Sequence, residues 1–66
     1  MIANPLSDRE FEIVRLVALG MSSEQIAEKL FVSPHTVSTH RRNILEKTEK
    51  QSMGDVILKF KERGLL

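Results

Sequence analysis

With 66 residues, no cysteine and a formal net charge of +1, the chain is one small domain that must hold together without disulfides or a thiolate metal site, in keeping with a reducing cytosol. No apolar run approaches the ~18 residues of a membrane span, and the N-terminus has neither the basic flank nor the apolar stretch of a secretory leader. Charge is unevenly placed: residues 1–33 carry three Lys or Arg against five Asp or Glu, and residues 34–66 carry seven against four, which puts the surface for an anionic partner in the second half.

Four helix starts are written in the sequence. Ser7 caps the first, predicted over about 8–19, with Glu10 completing a capping box and Leu6 placed to pack on Phe11. Its apolar residues Phe11, Ile13, Val14, Leu16, Val17, Ala18 and Leu19 form a band too broad for a surface helix, so it is expected to be the central core element. Gly20 ends it. The same grammar recurs at Ser22 and Gln25, with Met21 ahead of Ile26, for a second helix over about 22–31.

The third helix, about 34–48, has Ser33 as its cap, Pro34 at the first helical position, and Val32 placed against Val37. Val37, Ile44, Leu45 and Thr48, with the stem of Arg41, form its inward stripe. Ser52 with Asp55 starts a fourth helix over about 53–63, whose inward residues are Met53, Val56, Ile57 and Phe60 and whose stop is Gly64. No segment alternates with period two, so no sheet is expected. The prediction is an all-α four-helix bundle, residues 1–66 forming a single domain. The second and third helices form a helix-turn-helix, its two crossed helices held by Ile26, Ala27, Leu30, Val32 and Val37.

The outer face of the third helix points to DNA. With Val37, Ile44 and Thr48 facing inward, Ser38, Thr39 and Arg42 fall on the opposite side and His35 lies near the helix start. These four are the candidate base contacts. Arg42 can take guanine through two hydrogen bonds, and the Thr39 methyl can pack on a thymine methyl, whereas Ser38 specifies little. The bland alternative for Arg42 is an i,i+4 pair with Glu46 on a solvated helix. Ser22 and Ser23 at the start of the second helix, with Thr36, Arg41, Lys47 and Lys50, are the candidate phosphate contacts. The serines can equally be plain caps, and Arg41 can instead lay its stem on the core.

The run LSDREFEIVRLVALGMSSEQIAEKLFVSPHTVSTHRRNILEK resembles the DNA-binding domain of LuxR-type (GerE-like) bacterial transcription regulators, over about residues 6–47. The resemblance is carried by Leu6, Arg9, Glu10, Gly20, Glu24, Ile26, Ala27, Leu30, Ser33, Thr36, Val37, His40, Asn43, Ile44 and Lys47. It implies a four-helix bundle with the third helix in the major groove, at positions matching Ser38, Thr39 and Arg42, and the fourth helix in dimer contacts. It also implies an N-terminal regulatory domain elsewhere in a longer protein and a packed, partly buried His40. The chain departs from the family pattern at Thr48 and Glu49, where leucine and then glycine are usual. Thr48 is therefore expected to make a backbone hydrogen bond, or the third helix to run longer.

The predicted function is a sequence-specific DNA-binding domain of a response-regulator or quorum-sensing type of transcription regulator, cytoplasmic, and a homodimer on double-stranded DNA. The competing prediction is a protein-interaction module that pairs with a related regulator through helix four, at Leu58, which lies off the inward stripe. A basic helix on a membrane surface through Lys59, Lys61 and Arg63 is weaker, because its apolar face is needed for the core. His35 and His40 lie ~140° apart on a helix and no cysteine completes a metal site. Paired carboxylates, a glycine-rich phosphate loop and a base-oriented nucleophile are all missing from the sequence, so no enzyme, cofactor or small-molecule ligand is predicted.

Overall fold

The computed structural model describes residues 5–66, and the part of the predicted domain at residues 1–4 lies outside them. Four helices follow one another: α1 (Asp8–Ala18), α2 (Ser23–Leu30), α3 (Pro34–Thr48) and α4 (Met53–Glu62). Among the described residues there is no strand, so the expected all-α four-helix bundle is what the chain forms. α1 packs against each of the other three helices, and α2 crosses α3 in the helix-turn-helix.

Each helix begins at a serine. Ser7 Oγ accepts the Glu10 N–H while the Ser7 N–H donates to Glu10 Oε1, a closed capping box. Ser22 and Gln25 repeat it. Ser33 Oγ accepts the Thr36 N–H ahead of α3, where Pro34 occupies the first turn, and Ser52 Oγ accepts the Asp55 N–H ahead of α4. Leu6, Met21 and Val32, each just before a cap, all lie on the core cluster.

Ile13, Val14, Ile26, Val37, Ile44 and Val56 are completely buried, with Leu6, Leu16, Ala27, Met53 and Phe60 close behind. The Phe11 and Phe60 rings stack at 5.8 Å between centroids, tying α1 to α4. The first helix is less wholly buried than its composition suggests. Leu19 is 77% exposed, because its helical phase points it away from the buried face of α1.

All four helices end in the same way. An N–H just past the last turn reaches back five residues: Met21 to Leu16, Val32 to Ala27, Lys50 to Leu45 and Leu65 to Phe60. This ending requires a left-handed residue, which is Gly20 after α1 and Gly64 after α4 but Phe31 (φ 58°) after α2 and Glu49 (φ 57°) after α3. Glu49 thus takes the conformation that glycine would take without strain, so the departure from the family pattern alters the residue and leaves the turn intact. The Thr48 hydroxyl donates to the Ile44 carbonyl at 2.7 Å, the expected backbone hydrogen bond, and this lets a polar residue sit at the core's edge.

The bundle also has a bolt that local pattern does not reveal. Glu10 is only 3% exposed, and its Oε1 accepts both the Ser7 N–H at 2.9 Å and the Lys47 ammonium at 2.8 Å, joining the start of α1 to the end of α3. Burial by itself disfavours the carboxylate. The hydrogen bonds from Lys47 and Ser7, with the Lys47 charge, outweigh it and hold the Glu10 carboxyl below its ordinary 4.5.

Three stability predictions rest on these features. Glu49→Gly should raise stability by about 1 kcal/mol in urea unfolding, by relieving the left-handed strain. No gain would mean that the Glu49 side chain contributes something that offsets it. Because the folded-state value of Glu10 is lowered, its contribution is fully present above 4.5 and is lost as pH falls through the lowered value. Urea midpoints should therefore fall on acidification below 4.5 more steeply in the wild type than in Glu10→Gln. Lys47→Met should cost about 1–2 kcal/mol at neutral pH, at the lower end of the range for charged hydrogen bonds because the ammonium is half in water.

Candidate nucleic-acid interface

α3 contains no carboxylate from Pro34 to Leu45, and its first acid is Glu46. His35, Ser38, Thr39 and Arg42 recur at i, i+3, i+4 and i+7, which places them on one face of the helix. His35, Ser38 and Arg42 are exposed, whereas Thr39 is half-buried. On the opposite side Val37 and Ile44 are fully buried, with Arg41 and Thr48 half-buried between the two faces. The helix is thus clamped along one side and bare along the other. Among the described residues Arg42 makes no ion pair with Glu46, so the guanidinium has no folded-state partner to give up.

The phosphate candidates are more committed than the sequence suggests. Ser22 Oγ serves as the α2 cap. The Thr36 hydroxyl shares a 2.9 Å hydrogen bond with Ser33 Oγ, doubling the α3 cap. Lys47 is paired with Glu10. Arg41 neither lies idle on the core nor points freely outward: its Nη1 donates to Ser23 Oγ at 3.0 Å, tying the middle of α3 to the first residue of α2. Only the Lys50 side chain has no internal hydrogen bond among the described residues. It lines an open groove of about 430 Å³ with Lys59 and Arg63, above Val56, Phe60 and Leu65.

Leu58 is 59% exposed on α4, off the buried stripe of Met53, Val56 and Phe60. His40 is half-buried. No group of three His, Cys, Asp or Glu among the described residues could hold a metal ion, and no helix among them is long and apolar enough to cross a membrane. Two features escaped the sequence reading: the Glu10–Lys47 pair and the Ser23–Arg41 bond. Both partners of each carry a plausible local role, so nothing in the spacing marks them as bonded to one another.

Comparison with known proteins gives the same picture. A family profile described as bacterial regulatory proteins, luxR family, matches residues 4–60. The chain is 42% identical over 62 residues to the transcriptional regulatory protein DesR of Bacillus subtilis, covering 94% of the chain and 31% of DesR. It is 38% identical over 60 residues to BvgA, a virulence-factor transcription regulator of Bordetella pertussis, covering 91% of the chain and 29% of BvgA. The crystal structure of ChrA, a response regulator in a heme-sensing two-component system, superposes with a TM-score of 0.85 at 33% identity, over all of this chain and 33% of that one. The chain therefore spans about a third of the length of these relatives. Helix-turn-helix, bare α3 face and family profile agree: the chain belongs to the luxR family of bacterial regulatory proteins and is a DNA-binding domain of the kind found in response-regulator transcription regulators, not an enzyme.

Proposed function

We propose that the domain reads double-stranded DNA by sequence on behalf of a longer, cytoplasmic transcription regulator, with α3 lying in the major groove. The observation that carries this reading is the stripe of His35, Ser38, Thr39 and Arg42 on a helix whose other side is anchored by Val37 and Ile44. Arg42 presents two parallel donors to guanine O6 and N7, and Thr39 offers a methyl to thymine. Ser22, Ser23, Thr36 and Lys50 set the depth and register through backbone phosphates, and Lys47 adds charge nearby with the protons that Glu10 leaves free.

Two copies pair through α4 around Leu58 and read half-sites about one helical turn apart, roughly 34 Å. The exposure of Leu58 supports this, and it is also the observation behind the second reading, in which α4 pairs with a related regulator. A single exposed leucine is common on protein surfaces. DNA therefore decides between the two readings: selection of binding sites from random duplexes returns paired half-sites if the domain is a dimeric reader, and no enriched sequence if it is an interaction module.

Two variants test the roles. Arg42→Ala should leave urea stability unchanged and remove about 1–3 kcal/mol of discrimination against a substituted guanine, read by competition between the selected site and single-base variants. Equal weakening on every sequence would reduce Arg42 to a phosphate contact. Leu58→Glu should bind an isolated half-site as the wild type does and lose the cooperative gain on a double site, measured by anisotropy on both duplexes. Unaltered cooperativity would remove α4 from the dimer.

A further inference from the structure

Ser23 and Arg41 lie 18 positions apart in sequence, yet the Arg41 guanidinium donates to the Ser23 hydroxyl oxygen at 3.0 Å. A serine hydroxyl has two acceptor lone pairs and one proton to give. With Arg41 occupying a lone pair, the Ser23 O–H is turned away from the guanidinium, and it donates to nothing among the described residues. The backbone N–H groups of Ser23 and Glu24 beside it make no hydrogen bond there either, because the capping box takes up only Ser22 and Gln25. Arg41 itself is half-buried, on the border between the inner stripe and the bare face of α3.

We propose that Arg41 is a positioning residue for DNA binding that acts through Ser23, and does not itself take a phosphate. The inference rests on the proposed DNA reading and corrects the sequence expectation that Arg41 touches the backbone directly. Arg41 does two things through one bond. It aims the Ser23 proton outward at a phosphate oxygen, and it fixes the first turn of α2 against the middle of α3, so that the phosphate held at Ser23 and the base edges facing Thr39 and Arg42 are met in one register. The turn at Val32 and Ser33 joins α3 to the far end of α2, and the Arg41 bond adds a direct tie between the two helices at the Ser23 end.

The test is a double-mutant cycle on the intact domain, by fluorescence anisotropy with the selected half-site duplex over a series of salt concentrations. Circular dichroism melts establish that each variant is folded at the assay temperature. Arg41→Met keeps the stem and loses the donors, and Ser23→Ala loses the acceptor. Each should weaken binding about five- to tenfold, the double variant no more than the weaker single, and Ser23→Thr, which keeps the hydroxyl, should restore affinity to within about twofold of wild type. Arg41→Met should also narrow the preference for guanine opposite Arg42 although Arg42 is intact, an effect that simple loss of stability in a folded variant does not produce. The slope of log affinity against log salt should stay close to the wild-type value.

Additive losses in the double variant, with the slope reduced by about 0.9 in Arg41→Met, would make Arg41 a phosphate contact and overturn the proposal. Full affinity in Arg41→Met would overturn it equally. Wild-type protein that binds no duplex in a salt-dependent way would instead sink the DNA reading itself, and that outcome is visible before any variant is made.

Discussion

A helix that leaves one side bare must be held by the other, and α3 does this with very little. Over its length only Val37 and Ile44 are completely buried. Each such side chain contributes roughly 1.5–3 kcal/mol by leaving water, whereas the exposed Arg9–Glu12 pair at 3.8 Å belongs to a class worth under about 1 kcal/mol. Two apolar anchors therefore outweigh any surface ion pair in keeping α3 docked. Everything that a partner meets on the bare face inherits its position from that narrow seam.

Because the seam is narrow, the ends of α3 carry more of the load. At the N-terminus Ser33, Pro34 and Thr36 fix the first turn through the capping hydrogen bond and a second bond between the two hydroxyls. At the C-terminus Thr48 returns its hydroxyl to the helix carbonyls, and Lys47 pins the last turn to Glu10 at the start of α1. Glu10 serves two helices with one oxygen: it closes the cap of α1 and holds α3. A buried carboxylate without such partners would be driven toward its neutral form, and here the balance of burial against hydrogen bonds falls on the charged side.

What could be read from the sequence divides along the same line. Helix starts were legible because a cap is a conversation between residues three apart, as at Ser7 with Glu10 or Ser22 with Gln25. The inner and outer faces of α3 were legible because a straight helix maps spacing onto direction. Partners 18 and 37 residues apart, Ser23 with Arg41 and Glu10 with Lys47, were not, since their meeting depends on how whole helices cross. The left-handed turns at Phe31 and Glu49 were hidden for a different reason: the residue type that announces such a turn is absent, and the hydrogen bonds that close the helix impose the conformation on whatever side chain is there. Leu19 misled in the opposite sense, since composition counted it into the α1 band and its helical phase points it away from the buried face.

The pattern of internal bonds bears on how the proposed interface would work. A flexible basic surface gains affinity for DNA only after its side chains are immobilised, at about 0.5–1.5 kcal/mol for each long one. Here Ser22, Ser23, Thr36, Arg41 and Lys47 are already in hydrogen bonds within the fold, so much of that ordering is complete before a partner arrives. Among the long side chains Arg42 and Lys50 are the exceptions, without an internal partner among the described residues, and Arg42 is the exposed one on the bare face of α3. A side chain left free at the centre of an otherwise fixed surface is the one whose ordering cost must be met by a specific acceptor, and that is what makes a bidentate base contact discriminate: the correct guanine offsets the cost, and a wrong base leaves it unmet.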